Sequence, residues 1–439
     1  MIAPRARLLW AFALIALPAA TLLGLRPGLA LPCAAVLALF AFVLLADALL
    51  SLARFAGVAI RAPELVRLNK ARPGTLELRL TNENGEPRAL RCALDWPAEM
   101  TASEEEIALA LPAGAAATVS LGVTPTARGR FQLEKIAAET PSRFGFWNIR
   151  RNFAIACEVR VYPDLLSERR NLAALFLHRG APGARAIRRV GKGRDFEQLR
   201  DYIAGDSVED IHWKATAKRG RPITKVHQVE QTQEVYVIID ASRLSARTVG
   251  GAPLLEKFIN CALVLCLAAG QRNDLFGLTT FADKVQGFVR ARNGQAHYNL
   301  CRDTLYRLQP ARVTPDFDDL FTFLRLRLRR RALLVFLTAL DDPALAAGFC
   351  DKIGLLSRQH LILVNMLRPP EAQPLFAGGE VENSAEVYRR LGGHLVWHDL
   401  RELGQRLHHQ GVRLALVDQA ALTSEVVAQY LQVKQRQLL

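Results

Sequence analysis

From Glu234 to Leu244 the sequence reads EVYVIIDASRL, and the fold of the larger half of the chain turns on it. Val235 to Ile239 is an unbroken apolar run rich in β-branched residues, closed by Asp240. A short run of that kind fits a strand buried on both faces, and such strands belong to mostly parallel sheets covered by helices. Working outward, Leu255 to Ala269 is expected to be helical and Leu275 to Phe281 a strand. Phe317 to Arg330 reads as a helix, Leu333 to Leu337 as a buried strand and Leu361 to Met366 as another. Leu395-Val396-Trp397 and Leu414 to Val417 are read as two further strands. Strands alternating with helices imply right-handed crossovers, so residues 234–439 are predicted to form an α/β domain.

Before this domain the pattern changes. Thr75 to Leu80 alternates polar and apolar residues, and the turn-forming Asn82-Glu83-Asn84-Gly85 follows. Breaks at Pro97, at Pro112-Ala113-Gly114 and at Pro125 separate further short runs, and Ile155 to Tyr162 closes the series. Residues 60–164 therefore read as a small all-β, sandwich-like domain. A basic connector follows over 165–233, with Arg169, Arg170, Arg179, Arg185, Arg188, Arg189, Lys192 and Arg194. It is read as a solvated linker, the alternative being a docking strip for anionic lipid or an acidic partner.

The first 54 residues have another character. Leu8 to Leu25 carries no charge, Arg26-Pro27-Gly28 interrupts it, and Leu29 to about Leu52 is apolar except for Asp47. Each run approaches the ~20 residues that cross a bilayer core, so residues 1–54 are predicted to be a transmembrane hairpin with spans at about 8–25 and 29–50. Arg5 and Arg7 precede it, and Arg54, Arg61, Arg67, Lys70 and Arg72 follow it. The positive-inside bias places both ends in the cytoplasm, which gives a multi-pass protein of the inner (cytoplasmic) membrane with a cytoplasmic globular part. A cleaved signal peptide at the first segment leaves that location unchanged. Asp47 is expected to reach the membrane interface.

The 439 residues carry a net charge of +15, which fits an anionic membrane surface, an acidic protein or a nucleic acid. The densest basic run, Leu324 to Arg331, spreads its arginines around a helix and lacks stacking aromatics, so nucleic-acid binding is not expected. The seven cysteines form neither a CxxC pair nor a dense disulfide framework, which favours a reducing compartment. There is no GxGxxG after the first strand of the α/β domain, no P-loop and no GxSxG elbow. The nine histidines are scattered. His212 and Trp213, behind Glu209 and Asp210, read first as a satisfied histidine beside a packed tryptophan. Asp240 and Ser242 stand where ligands bind in such sheets, and they read either as loop and helix caps or as oxygen ligands for a divalent cation.

Residues 193–230 read GRDFEQLRDYIAGDSVEDIHWKATAKRGRPITKVHQVE. This resembles the signature of a bacterial family catalogued as domain of unknown function 58, through Gly193, Phe196, Leu199, Arg200, Tyr202, Gly205, Asp206, Ile211, Trp213, Ala217, Lys225 and Glu230. Arg128-Gly129-Arg130-Phe131, Phe144-Gly145-Phe146 and Val161-Tyr162-Pro163 resemble shorter segments of the same family. The resemblance implies a Rossmann-type, von Willebrand factor A-like α/β domain on a membrane anchor. It also implies partnership with a MoxR-type AAA+ ATPase acting on some client protein. The motif residues Arg200, Tyr202, Gly205, Asp206, His212, Trp213 and Lys214 would then bind the partner or brace the two domains. The family's adhesion-type metal site begins Asp-x-Ser-x-Ser. Here Asp240 and Ser242 match, Leu244 replaces the second serine, and Thr338-Ala339 stands at a usual Ser-Asp pair, with Asp341 and Asp342 close behind. Thr314 or Asp316 would supply the threonine-loop ligand. So reduced a set implies a degenerate, mostly empty site, with Mg²⁺ at most weakly held and no cofactor. The expectation is a non-enzymatic membrane adaptor. A metal-dependent ligand-binding module is the first alternative, and a hydrolase using the cluster from Asp206 to His212 is a remoter one.

Overall fold

The computed structural model describes residues 1–25, 29–165, 190–203, 208–228, 233–375, 377 and 383–436. The chain divides into two compact units, Met1–Asp164 and Leu165–Leu439.

In the second unit Glu234–Asp240 becomes strand β1, with every side chain after Glu234 buried. Helix α1 follows at Leu254–Gln271, then β2 at Leu275–Phe281, β3 at Val285–Arg292 and α2 at Gln295–Leu305. Next come α3 at Phe317–Arg327, β4 at Leu333–Leu337, α4 at Pro343–Ser357 and β5 at Leu361–Leu367. Finally α5 spans Ser384–His409, β6 Val412–Val417 and α6 Leu422–Gln435. The sheet runs β3-β2-β1-β4-β5-β6, parallel throughout except for the antiparallel edge strand β3.

Alternation along the central strands divides them between two cores. Val235, Val237 and Ile239 of β1, with Leu333, Val335 and Leu337 of β4, pack against α1, α2 and α6. Tyr236, Ile238, Leu334 and Phe336 point the other way, toward α3, α4 and α5. There Phe317, Phe321, Phe336 and Phe349 cluster with centroids 5.1–6.1 Å apart, Phe317 stacking on Phe321 and the other pairs meeting edge-on. Each such side chain, once buried, stabilises the fold by about 1.5–3 kcal/mol. Helix α1 is apolar enough to cross a membrane, but 67% of its apolar window is buried, so it is a core helix.

Two expectations change. Leu395-Val396-Trp397 is not a strand but lies inside α5, whose buried positions Gly393, Leu400, Leu403 and Leu407 keep helical spacing. The third apolar strand at this end is β6. Helix α3 stops at Arg327 rather than Arg330, because Leu328 turns to extended backbone and is buried, drawing the chain off the helical path.

The region before β1 is folded in part, contrary to a simple linker. Val190–Asp201 pairs antiparallel with Ile223–Gln228, and a helix at Trp213–Arg219 lies between them. The expected basic stretch through Arg189 lies outside the described residues.

The first unit contains a two-sheet β structure. Val58–Arg61, Gly74–Asn82, Ala116–Pro125 and Met100–Ala102 form one sheet. Gly129–Pro141, Trp147–Tyr162, Arg88–Leu94 and Glu106–Leu111 are the main strands of the other. Leu76, Leu78 and Leu80 are 1%, 0% and 1% exposed and join residues of both sheets in one core. The N-terminal Ile2–Pro4 also pairs with Trp147–Ile149, so this β structure draws on residues ahead of the first apolar helix.

That helix comprises Ala6–Ala11, a π-helical turn at Phe12–Ala16 and Leu17–Leu25. Pro18 cannot donate to the helical ladder, and the wider turn lies just before it. The second helix, Ala30–Ser51, continues as a tighter turn at Leu52–Phe55. Ala30–Phe55 has a mean hydropathy of 2.6 over its apolar window and is 11% buried there, so it is long and apolar enough to cross a membrane. Asp47 does not reach out to an interface as expected. It is fully buried, and it accepts hydrogen bonds from Ser142 Oγ (2.6 Å), Phe144 N (3.0 Å), Phe146 N (3.4 Å) and Ser51 Oγ (3.4 Å). Trp147 Nε1 donates to Leu44 O nearby at 3.1 Å. The loop 142–147 thus clasps the last turns of the apolar helix.

Candidate functional site

At the carboxyl end of the sheet, Asp240 is 1% exposed. One carboxylate oxygen accepts from Ser242 N at 2.8 Å, the other from Thr338 Oγ1 at 2.7 Å. Burial raises the Asp240 pKa, and the hydrogen bonds from Ser242 and Thr338 offset part of that. Ser242 Oγ accepts from Leu244 N at 3.3 Å and caps the short helical turn Arg243–Ala246. Here the capping reading describes the geometry.

The Thr314 loop adjoins this one through Arg243 N to Val313 O (2.9 Å) and Ala311 N to Ala241 O (2.7 Å). The oxygens nevertheless do not converge. Thr314 Oγ1 accepts from Arg243 Nε at 3.4 Å, and Asp316 caps α3 by accepting from Asp318 N (2.8 Å) and Asp319 N (3.1 Å). Leu244, in place of a hydroxyl, is 1% exposed. Asp341 pairs with Arg247, and Asp342 lies 3.9 Å from Arg243 while capping α4 through Ala344 N at 3.0 Å. The donor set therefore does not fit a divalent cation. Its central carboxylate is filled by protein donors, and two guanidiniums stand over the outer acids. Among the described residues, no group of three or more His, Cys, Asp or Glu side chains could hold a metal ion.

The second candidate is the paired segment before β1. Asp201 opposes Ile223, Tyr202 N donates to Pro222 O (3.0 Å) and His212 N to Ile223 O (2.7 Å), so both ends of the motif close on one strand. His212 Nδ1 accepts from Ala215 N at 3.1 Å and caps the helix Trp213–Arg219, which leaves the ring proton on Nε2. Gly220 ends that helix with φ +66°, the left-handed cap for which glycine is suited. Thr216 Oγ1 then accepts from Ile223 N at 3.0 Å and ties the helix back to the strand.

His212 is thus the satisfied residue that was expected, but Trp213 is not packed. It is 66% exposed, with Ile203 at 61% and Val208 at 64% on the same end of the pair. Around them Arg200 donates to Asp201 O (3.1 Å), Arg221 pairs with Asp201 (3.0 Å), and Lys214 faces outward. Gly205 and Asp206 lie outside the described residues.

Residues 198–385 match the family model described as protein of unknown function DUF58. The match bears out the resemblance carried by the central motif, and it runs from that motif through β5 of the α/β domain. Curated proteins give no match. Among solved structures, the chain is similar to the SpRpn10 VWA domain at 12% identity, covering 45% of this chain and 95% of that one, with a TM-score of 0.29. It is similar to the Vibrio cholerae VesB protease at 13% identity, covering 24% of this chain and 32% of that one, with a TM-score of 0.17. The YadV chaperone gives 16% identity, coverage of 25% and 52%, and a TM-score of 0.18. All these scores are low, and the topology of the DUF58 segment stands on its own strand pairing.

Sequence reasoning missed two groups. Thr338, the partner of Asp240, was read only as a lost acidic ligand. The seat of Asp47 was missed because its donors are backbone amides of a loop far along the chain. A charged residue inside an apolar run, together with the resembling segment Phe144-Gly145-Phe146, was the available signal.

Proposed function

We propose that the protein is a non-enzymatic adaptor of the inner membrane. Its apolar helices anchor it, its globular part lies in the cytoplasm, and its DUF58 segment docks a protein partner through the motif end at Ile203, Val208 and Trp213. The observation that carries this reading is the exposure of Trp213 on a helix capped at both ends. A rigidly presented, solvent-facing tryptophan beside other exposed apolar residues and a basic rim matches the anchors of protein interfaces. Arg200, Lys214 and Arg221 suit an acidic surface. The partner class implied by the family resemblance is a MoxR-type AAA+ ATPase acting on a client protein.

The test is titration of a purified MoxR-type ATPase from the same cell against the full-length protein in detergent. Trp213→Ala should weaken binding by tenfold or more, as loss of an interface hot spot does. Lys214→Ala should act mainly on the association rate and its salt dependence. Equal affinity for parent and Trp213→Ala, with both folded, would reduce the motif to a structural element.

A further inference from the structure

Where the second apolar helix ends, its two sides differ. On one, Leu49, Leu50 and Leu52 remain 60% or nearly so exposed, as lipid-facing residues are. On the other, Asp47 and Ser51 are fully buried under the loop 142–147. The next turn carries Arg54, within one helical turn of the last exposed leucine.

Arg54 is not isolated. Its side chain is 19% exposed, Nε donates to Pro141 O (3.3 Å) and Nη1 lies 3.2 Å from Glu86 Oε2. Arg88 reaches the same oxygen at 3.3 Å from a side chain only 10% exposed, and its buried Nε has no hydrogen-bond partner among the described residues. Arg143 is the third cation. Its backbone N is fixed to Ser51 Oγ at 3.0 Å, its side chain is exposed, and its charge, like that of Arg88, acts on Arg54. Arg54 and Arg88 thus share the Glu86 carboxylate, itself 59% exposed, and Arg143 and the buried Asp47 act on Arg54 through their charges, so three guanidiniums face two carboxylates. Partly buried cations in excess of their counter-ions favour an added anion, and the planar guanidinium fork matches phosphate oxygens.

The surroundings indicate which phosphate. Phe144 on the same loop is 52% exposed, and Trp147 is hydrogen-bonded to the helix at Leu44. Aromatic residues and arginines at the end of an apolar helix mark the headgroup layer. Arg5 and Arg7, ahead of the first apolar helix, come to the same loop. A side chain at Gly145 (φ +80°) would meet Arg7 Nη1 at 3.1 Å and Arg5 Nη1 at 3.8 Å.

We propose that Arg54, Arg88 and Arg143 form a binding site for the phosphate of an anionic phospholipid headgroup, at the rim where the apolar helix enters the β structure. The site rests on the membrane-anchor reading. It would hold the β structure against the bilayer in a fixed orientation, with Phe144 set into the interface.

The experiment uses the full-length protein in nanodiscs of mixed phosphatidylglycerol and phosphatidylcholine, transferred to mild detergent, with retained lipid counted by native mass spectrometry. The parent should keep phosphatidylglycerol in preference to phosphatidylcholine. Arg143→Ala, an exposed position that does not endanger folding, and Arg54→Ala should each cut that retention by about tenfold. Equal retention of the two lipids, or retention unchanged in Arg143→Ala, overturns the site. Complete displacement of phosphatidylglycerol by millimolar inorganic phosphate overturns the lipid assignment in favour of a free-anion site. Alkaline carbonate extraction of native membranes tests the anchor separately. A protein released by carbonate loses the anchor reading, whereas one that stays in the membrane without lipid preference loses only the site.

Discussion

Asp47 and Asp240 are both buried carboxylates, and the donors around them differ in kind. Asp47 receives two loop amides and two serine hydroxyls, all contributed to hold one helix against one loop. Asp47→Ala would strand the buried Ser142 Oγ and the partly buried amides of Phe144 and Phe146, each costing ~1 kcal/mol to leave unmet. A loss of about 3 kcal/mol in the first unit is expected, read as a lower unfolding midpoint in detergent. Asp240 receives one amide and one hydroxyl, and burial raises its pKa. An acid whose folded pKa lies above its unfolded value binds more protons when folded. Its contribution is therefore most favourable at low pH and is lost as pH rises through the raised folded value. Asp240→Asn keeps an acceptor for Ser242 N and lets the Thr338 hydroxyl turn to accept. The variant should match or exceed the parent's stability at pH 7, and its stability should vary less above about pH 4. Parallel urea titrations at several pH values would show it, and a variant much less stable at pH 7 would mean that the charge itself is needed. Asp240 was legible in the sequence because it ends an apolar strand. Its hydrogen bond to Thr338, 98 positions along the chain, depends on sheet order and was not.

At the scale of elements, β1 was readable because a strand buried on both faces must be apolar throughout. Leu395-Val396-Trp397 misled because a short apolar run has no period of its own, and only the 26-residue spacing of α5 resolves it. The helix Trp213–Arg219 was missed for another reason. It is short and polar, and what holds it is local: the cap from His212 and the left-handed turn at Gly220. Gly220 has open space around a would-be Cβ, so Gly220→Ala costs only the backbone strain of φ +66°, about 1 kcal/mol. The helix should fray and the rest of the fold should hold. Faster amide exchange confined to 213–219, with an unchanged global midpoint, is the expected outcome, and any partner affinity that depends on Trp213 should fall with it. A global loss of stability would mean that the helix is part of the packed core.

For the whole molecule the question is where membrane affinity resides. Among the described residues two helices are long and apolar enough to span a membrane, Ala30–Phe55 and α1. Nothing among the described residues covers the exposed leucines of the first, whereas Phe258, Ile259, Leu263 and Val264 of α1 are all 0% exposed. The division at Asp164 and Leu165 leaves α1 with a complete set of neighbours, because the two cores that flank the sheet lie wholly in the second unit. Residues 165–439, expressed alone, should therefore fold with the circular dichroism of a mixed α/β protein and stay in the supernatant after high-speed centrifugation of lysed cells. All seven cysteines are buried, and burial pushes the Cys92 thiol up to about 11. The four in the second unit, Cys261, Cys266, Cys301 and Cys350, should accordingly resist a thiol reagent in the folded fragment and react together on unfolding. Recovery of the fragment in the membrane pellet, with its thiols reactive from the start, would mean that the sheet does not cover α1 without the first unit, and that the two units fold as one.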